Sequence, residues 1–413
     1  MSVKTVLPLS GDGCVLPFPT VTLQGVASAL TEHLKEAQSQ PETARFYVPE
    51  LDSLRFFAFF GVFVCHVVHE MGYGDTISNI GGFGVDLFFT LSAYLITELL
   101  MREKERFGRL DVRAFYARRI LRIWPLYFGF LAVCFAASKL FPILQIGWQC
   151  FAFFAVFLGN FALALMGLTP GLAIVPLWSV CVEEQFYITW PLIVRYLSRR
   201  GVAIAGASIW LLSIFSRWLV IREGLPVHLI EIGTFCRLDP IACGMLLSSF
   251  LGGSTEPKLA ISRRKLVIIG ADLWALAGLC LYHSSTPAPI DFIVAFPAVA
   301  IGCGAFTLAA IGAGSWMYNP RLIYLGRISY GLYVYHGAAI LMTLAIFAPA
   351  PQWLRWLICP PLSLGATIAI SAISYRWFET PFLRLKTRYQ YIRSASPALA
   401  WPQQRESAPL QVI

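Results

Sequence analysis

An arginine and a histidine stand eleven residues apart in the apolar run LDSLRFFAFFGVFVCHVVHE, at Arg55 and His66. At 100° per residue, this spacing returns the two side chains to within about 20° of each other on one helical face. Along the axis they are roughly 16 Å apart. Taken singly, Arg55 reads as a residue snorkelling from a helix end, and His66 as a packing histidine. Together they put a fixed cation toward one end of a face and a titratable imidazole toward the other, groups suited to general-base chemistry. Ionisable groups inside apolar spans cost roughly 2.5–3.5 kcal/mol each on insertion scales and are functional candidates by default. His69, directly before Glu70, reads as interfacial.

A second constellation lies in PLWSVCVEEQFYITWP, where Glu183 and Glu184 open another apolar stretch. Counted back from Arg199, Glu183 lies roughly 24 Å along a helix, and His66 lies roughly 21 Å beyond Asp52. On this ruler the carboxylate and the imidazole reach similar depth, so Glu183 is expected to orient and charge-stabilise His66. The competing reading is a structural partner for a membrane arginine. FYARRILRIWPLY carries Arg118, Arg119 and Arg122, the last two sharing a face at i, i+3. Each alone reads as an anchor at the membrane surface, whereas three together suit phosphate, which guanidinium groups grip through paired N–H donors. Arg237 and Asp239 in CRLDPIACG read equally as an ion pair and as a site. His336 and an unassigned Asp272 complete the set.

These residues need elements that hold them in a bilayer. The 413 residues are 57% hydrophobic and only 13% charged, with mean hydropathy +0.66, where soluble domains carry about 25% charged residues. Apolar blocks of about 17–22 residues recur, the length that crosses a bilayer of roughly 30 Å as helix. The fold class is therefore all-α, a polytopic membrane protein with about ten transmembrane helices. They fall near 51–69, 82–101, 123–141, 178–198, 202–220, 235–252, 266–283, 292–313, 328–347 and 354–376.

The net charge of +9 reads as topology rather than as a nucleic-acid surface. Eight basic side chains lie between Arg102 and Arg122, and others at Arg195/Arg199/Arg200, Lys258/Arg263/Arg264/Lys265 and Arg384/Lys386/Arg388. Each cluster ends an apolar block, as cytoplasmic loops do. An eleventh apolar block at 148–167 breaks the alternation: were it to cross, every later basic loop would lie outside. It is expected to be re-entrant, with both termini cytoplasmic.

Residues 1–50 are expected to be a cytoplasmic segment with an amphipathic helix over 22–37. They are no signal peptide, because Gly11, Gly13, Pro17 and Pro19 interrupt the apolar stretch. Residues 51–385 form the membrane domain, and 386–413, with Pro397, Pro402 and Pro409, read as a disordered cytoplasmic tail. The ten cysteines include no C-x-x-C pair and suggest neither disulfides nor a metal site.

The same segments, taken in order, resemble the acyltransferase-3 family, bacterial membrane O-acetylases of surface polysaccharides, peptidoglycan, Nod factors and macrolides. The resemblance covers residues 51 to about 385. It rests on Arg55 and His66 at the family's arginine–ten–histidine spacing, then GFGVDLFFTLSAYLIT, FYARRILRIWP, WSVCVEEQFYITWP, RLDPIACG, ISYGLYVYH and FETPF. It implies a transferase in the bacterial inner membrane that moves an acyl group, by family default acetyl, from cytoplasmic acyl-CoA to a hydroxyl. The acceptor expected by analogy is a polysaccharide or its lipid-linked precursor, and no cofactor is permanently bound.

Within this reading His66 is the base, assisted by Arg55 and Glu183, while Arg118, Arg119 and Arg122 bind the donor. Asp86, Trp178, Ser179, Tyr187, Arg237, Asp239, Tyr335 and His336 are expected to bind substrate or hold the site. Ser53 and Ala93 stand where the family pattern has glycine; both are small, so close helix packing can survive. The esterase-like domain of two-domain members has no counterpart in this sequence, so transfer is expected within the membrane domain or by hand-off to a separate partner. The rival readings are a proton-coupled transporter, whose pathway would use the same intramembrane charges, and a catalytically silent scaffold.

Overall fold

The computed structural model describes residues 46–72, 79–141, 144, 146–255, 257–282, 288–314 and 317–389. The helix expected over 22–37 and the tail beyond 389 lie outside the described residues.

With no water in the hydrocarbon to satisfy backbone groups, apolar segments must close their hydrogen bonds internally, as helices. In chain order these are α1 (Pro49–Glu70), α2 (Gly84–Phe107), α3 (Val112–Ala137), α4 (Trp148–Ala155), α5 (Gly159–Met166) and α6 (Trp178–Val194). There follow α7 (Arg199–Arg222), α8 (His228–Ile232), α9 (Asp239–Leu251), α10 (Arg263–Tyr282) and α11 (Pro289–Ala310). The last four are α12 (Pro320–Arg327), α13 (Ser329–Ile346), α14 (Gln352–Ser374) and α15 (Thr380–Lys386). Among the described residues there is no strand.

Local chemistry sets several starts. A proline in the first turn and the acids Glu50 and Asp52 open α1, where a fixed φ and negative charge are both favourable. The Asp111 carboxylate caps α3 by accepting from the Ala114 amide at 2.9 Å.

Among the described residues, eight helices are long and apolar enough to span a bilayer: α1, α2 with its preceding turn, α3, α7, α10, α11, α13, and α14 continued through α15. Of these α2 is the most enclosed and α7 the least. Two helices at expected spans are shorter. With 17 and 13 residues, α6 and α9 rise only about 25 and 20 Å. The interior is built chiefly on α1, α2, α3, α6 and α13, with a second apolar cluster joining α1 and α2 to α10 and α11. Ser53, buried in α1, donates its hydroxyl across the bundle to the Met317 carbonyl at 2.9 Å. Ala93 is buried completely in α2.

The block at 148–167 forms two helices of eight residues each, α4 and α5, about 12 Å apiece. Between them the chain reverses at Phe157, whose φ of +57° is left-handed. Before the hairpin the Leu144 carbonyl accepts a hydrogen bond from Gly171 N, beyond it, at 3.0 Å. The segment therefore leaves and returns at one level, the geometry of a re-entrant hairpin. A ring of amides and a hydroxyl holds it in place. Gln185 Nε2 donates to Asn160 Oδ1 at 3.1 Å, and Asn160 Nδ2 to Thr234 Oγ1 at 3.0 Å. The Thr234 hydroxyl closes the circuit on Gln185 Oε1.

In a cysteine-free background, single cysteines at the exposed positions 147 and 169 should react with an impermeant thiol reagent from the same side of sealed vesicles. Labelling from opposite sides would mean that the hairpin crosses.

Candidate active site

The polar interior begins with two histidines. Tyr330, Tyr333 and His336 recur on α13 at i, i+3, i+6 and so share one face. His336 is fully buried, and its Nδ1 lies 2.6 Å from the Tyr333 carbonyl. A carbonyl only accepts, so His336 Nδ1 carries the proton and, in the neutral ring, Nε2 is a lone pair. That lone pair faces His66 Nδ1 at 2.9 Å. His66 Nδ1 is then the donor, and among the described residues its Nε2 has no hydrogen-bond partner and is left as a base. The rings stack with centroids 5.1 Å apart, and Phe59 closes on His336 edge-on. His66 is only half-buried, so it is the reachable member of the pair.

The re-entrant hairpin helps roof this pair. A Cβ on Gly337 would come within 2.3 Å of the Leu172 carbonyl, so only glycine lets α13 approach the returning loop so closely. Four residues on, the Pro176 carbonyl accepts from the Tyr333 hydroxyl at 3.0 Å, and that hydroxyl also meets Ser179 Oγ at 2.7 Å.

At the opposite, basic end, α1, α3 and α6 bring cations together. Arg55 Nη1 bonds Asp52 Oδ1 at 2.7 Å, and Asp52 in turn accepts from the Tyr47 hydroxyl at 2.9 Å. Arg119 lies over the rings of Phe115 and Tyr187, at 5.7 and 5.4 Å, with its Nε buried and unpartnered. Arg122 has Arg55, Asp52 and Tyr375 as its strongest electrostatic neighbours. Among the described residues neither Arg119 nor Arg122 closes an ion pair. Arg118 is engaged elsewhere, on Glu103 Oε2 at 3.1 Å and the Tyr389 carbonyl at 2.6 Å.

Glu183 belongs to this end. The Ser92 and Tyr187 hydroxyls and the charges of Arg119 and Arg55 are its electrostatic neighbours. The depth ruler that matched it to His66 counted helix back to Arg199, but α6 stops at Val194. Eleven residues from that end make roughly 16 Å, while His66 lies roughly 25 Å into α1. The partner of His66 in the structure is His336. Glu184 points away from this group and accepts from the Trp124 indole at 2.9 Å.

Arg237 and Asp239 do not pair with each other. Residues two apart on a helical turn face different ways, and each finds a partner on another helix. Arg237 Nη2 contacts both oxygens of Asp86 at 2.7 Å, with Phe296 and Trp178 on its flanks. Asp239 takes Arg217, whose Nη2 lies 2.9 Å from Oδ1, and the Ser213 hydroxyl at 2.7 Å. All four are buried. Tyr335 turns outward from the histidine face and donates to Ser374 Oγ at 3.0 Å. Tyr333, Ser92 and Arg217 escaped the sequence reading. A polar position three residues before His336 was the available signal for Tyr333; nothing local marks the other two.

Fold and site together define an integral membrane protein whose buried polar groups run from an arginine cluster, in which Arg119 and Arg122 close no ion pair among the described residues, to a histidine pair. A sequence profile described as an acyltransferase domain matches residues 48–376. The chain belongs to the acyltransferase-3 family.

It is 28% identical over 360 residues to the O-acetyltransferase OatA of Staphylococcus aureus strain NCTC 8325, covering 81% of this chain and 57% of that protein. A putative O-acetyltransferase of S. aureus strain COL is 27% identical over 362 residues, with the same coverage. The chain thus spans little more than half the length of these relatives. No solved structure matches it.

Removing one member of a buried ion pair strands the other. Arg237→Leu alone should destabilise the detergent-solubilised protein by about 3–5 kcal/mol, and the double change with Asp86→Leu should restore most of that. Equal melting of the single variant and the wild type would show that the pair is not what holds α2 to the segment before α9.

Proposed function

We propose that the protein is a membrane O-acyltransferase that takes an acyl group, most simply acetyl, from cytoplasmic acyl-CoA and passes it to a hydroxyl presented from the opposite face. The observation that carries this reading is the free Nε2 of His66, backed by His336 and the Tyr333 carbonyl, on the same helix face as Arg55. The names of the relatives support the acyl group and the bond formed. By analogy with the family, the acceptor is a cell-surface polysaccharide or its lipid-linked precursor, and the positive-inside rule places both termini in the cytoplasm of the bacterial inner membrane.

Arg119 and Arg122 carry fixed positive charge and close no ion pair among the described residues, although Glu183 and Asp52 lie in their field, and donor phosphates would give them direct charged partners. Arg55 and His66 are roughly 16 Å apart along α1, a distance the extended pantetheine arm of CoA can bridge. Phosphates at the arginines then bring the thioester toward the imidazole.

In the step proposed, His66 Nε2 takes the proton of the acceptor hydroxyl and the oxygen attacks the thioester carbonyl. The new C–O ester bond forms, the C–S bond breaks, and the leaving thiolate recovers the proton from the imidazolium. The transient positive charge on His66 is stabilised through its Nδ1–H by the His336 lone pair. No base has to turn over between the two proton transfers.

His66→Ala should lower turnover by about 10²–10⁴-fold while expression and melting stay near wild type, since that is the usual contribution of a general base. Retention of more than a tenth of wild-type turnover would remove His66 from that role. His336→Phe, which keeps the stacking but deletes the acceptor for His66 Nδ1, should lower kcat and shift its pH profile while leaving the KM for acyl-CoA in place.

At the other end, the double change Arg119→Lys, Arg122→Lys preserves charge and topology but removes the two-pronged donor. It should raise the KM for acyl-CoA about tenfold or more while the KM for the acceptor barely moves. An unchanged donor KM would make these arginines topological signals.

A further inference from the structure

Lys386 looks in the sequence like part of a basic tail, yet in the structure it joins the arginines. Its strongest electrostatic neighbours are Arg122, Arg119, Arg118 and Arg55, all of its own sign. Among the described residues it closes no ion pair. Two of the five cations are already committed, Arg55 to Asp52 and Arg118 to Glu103. Arg119, Arg122 and Lys386 remain: Glu183 and Glu184 lie in the field of Arg119, and Asp52 and Glu379 in that of Arg122, but among the described residues none of these acids closes an ion pair with the three cations.

The placement is built rather than accidental. After Ser374 the helix widens into one π-type turn, Tyr375–Glu379, a rare geometry that shifts the register of whatever follows. The turn directs Phe378 against Gly129 of α3, where a Cβ would lie 3.4 Å from the ring. Beyond α15, the Tyr389 carbonyl accepts from Arg118 at 2.6 Å. The seven-residue α15 is therefore pinned to α3 at both ends, and Lys386 at its last position has little freedom to swing away from Arg119 and Arg122. Holding like charges together costs energy with no return in the empty protein, which is the mark of a site shaped for something else.

We propose that Lys386 is a donor-binding residue, and that α15 forms, opposite α3, the second wall of a site for the phosphates of acyl-CoA. This deepens the acyltransferase reading and rests on it. Arg119 and Arg122 supply planar forks from α3, and Lys386 supplies a compact point charge from α15. Three unpaired cations on two walls suit a ligand carrying more than one phosphate. Arg118, by contrast, is a positioning residue that holds the end of α15 in place.

The test uses the full-length protein in detergent, with CoA itself as the probe, read by thermal melting and by direct binding. Lys386→Gln should weaken CoA binding by about tenfold to a hundredfold, the effect of one charge-assisted contact. Without CoA the variant should melt at or above the wild-type temperature, because a like charge has left the cluster. A purely structural lysine predicts the reverse, a lower melting temperature with unchanged CoA affinity, and that result would overturn the proposal. Lys386→Arg should keep CoA binding within a few-fold.

Should the glutamine variant not fold, the wild type still decides. Saturating CoA should protect Lys386 from an amine-reactive reagent, and equal modification with and without CoA sinks the idea. The broader reading fails separately: wild-type protein that neither binds CoA nor is stabilised by it removes the donor altogether. Wild-type binding with an unaffected glutamine variant removes only Lys386.

Discussion

In a bilayer a charge or hydrogen-bonding group has no water to fall back on, so its partner must come from the protein. Most of this structure follows from that constraint. Asp86 and Asp239 are buried, and each is met by an arginine from a different segment, Arg237 and Arg217. At the basic end Glu98 is met by both Arg102 and Arg199, and the Arg199 fork also reaches Glu105. These pairs contribute less as net stabilisation than as specification, because any other packing of the same helices would leave a charge stranded. They tie α2, α7 and α9 into one arrangement around α1.

Against that rule of satisfaction the exceptions carry the chemistry. The His66–His336–Tyr333 chain uses its donors and acceptors in sequence and leaves one lone pair over, on the half-buried ring. Arg119 and Arg122 have aromatic faces and hydroxyls around them but no ion pair of their own. A protein that neutralises Asp86 and Asp239 fully while leaving these cations open keeps charge in reserve where a ligand can meet it. The two exceptions lie apart, Arg119 and Arg122 on α3 in the field of Arg55 near the start of α1 and His66 near its end, as the proposed split between holding a charged donor and reacting with it requires.

The re-entrant hairpin links these two themes. It is too short to cross, and its position is held by the Gln185–Asn160–Thr234 ring and by the Gly171–Leu144 backbone bond. Its return loop lies on α13 beside His336, with Gly337 admitting the contact.

Much of this was legible in the sequence, for reasons of composition and period. Apolar block length and the placement of basic residues determine an all-α membrane protein, and the parity of basic loops singles out 148–167, which the structure folds as two helices of eight residues. The eleven-residue interval alone puts Arg55 and His66 on one face. Depth and partnership were not legible. Glu183 was matched to His66 because a ruler along the sequence cannot know that α6 ends at Val194 rather than Arg199.

Arg237 and Asp239 are neighbours in sequence but bond across the bundle, and Lys386 reads as tail until a π-type turn bends α15 back onto α3. Sequence determines what each helix carries and which face carries it, because helical period is a local property of the backbone. Which faces meet depends on helix ends, kinks and close approaches summed over the whole bundle, and only the tertiary structure decides that.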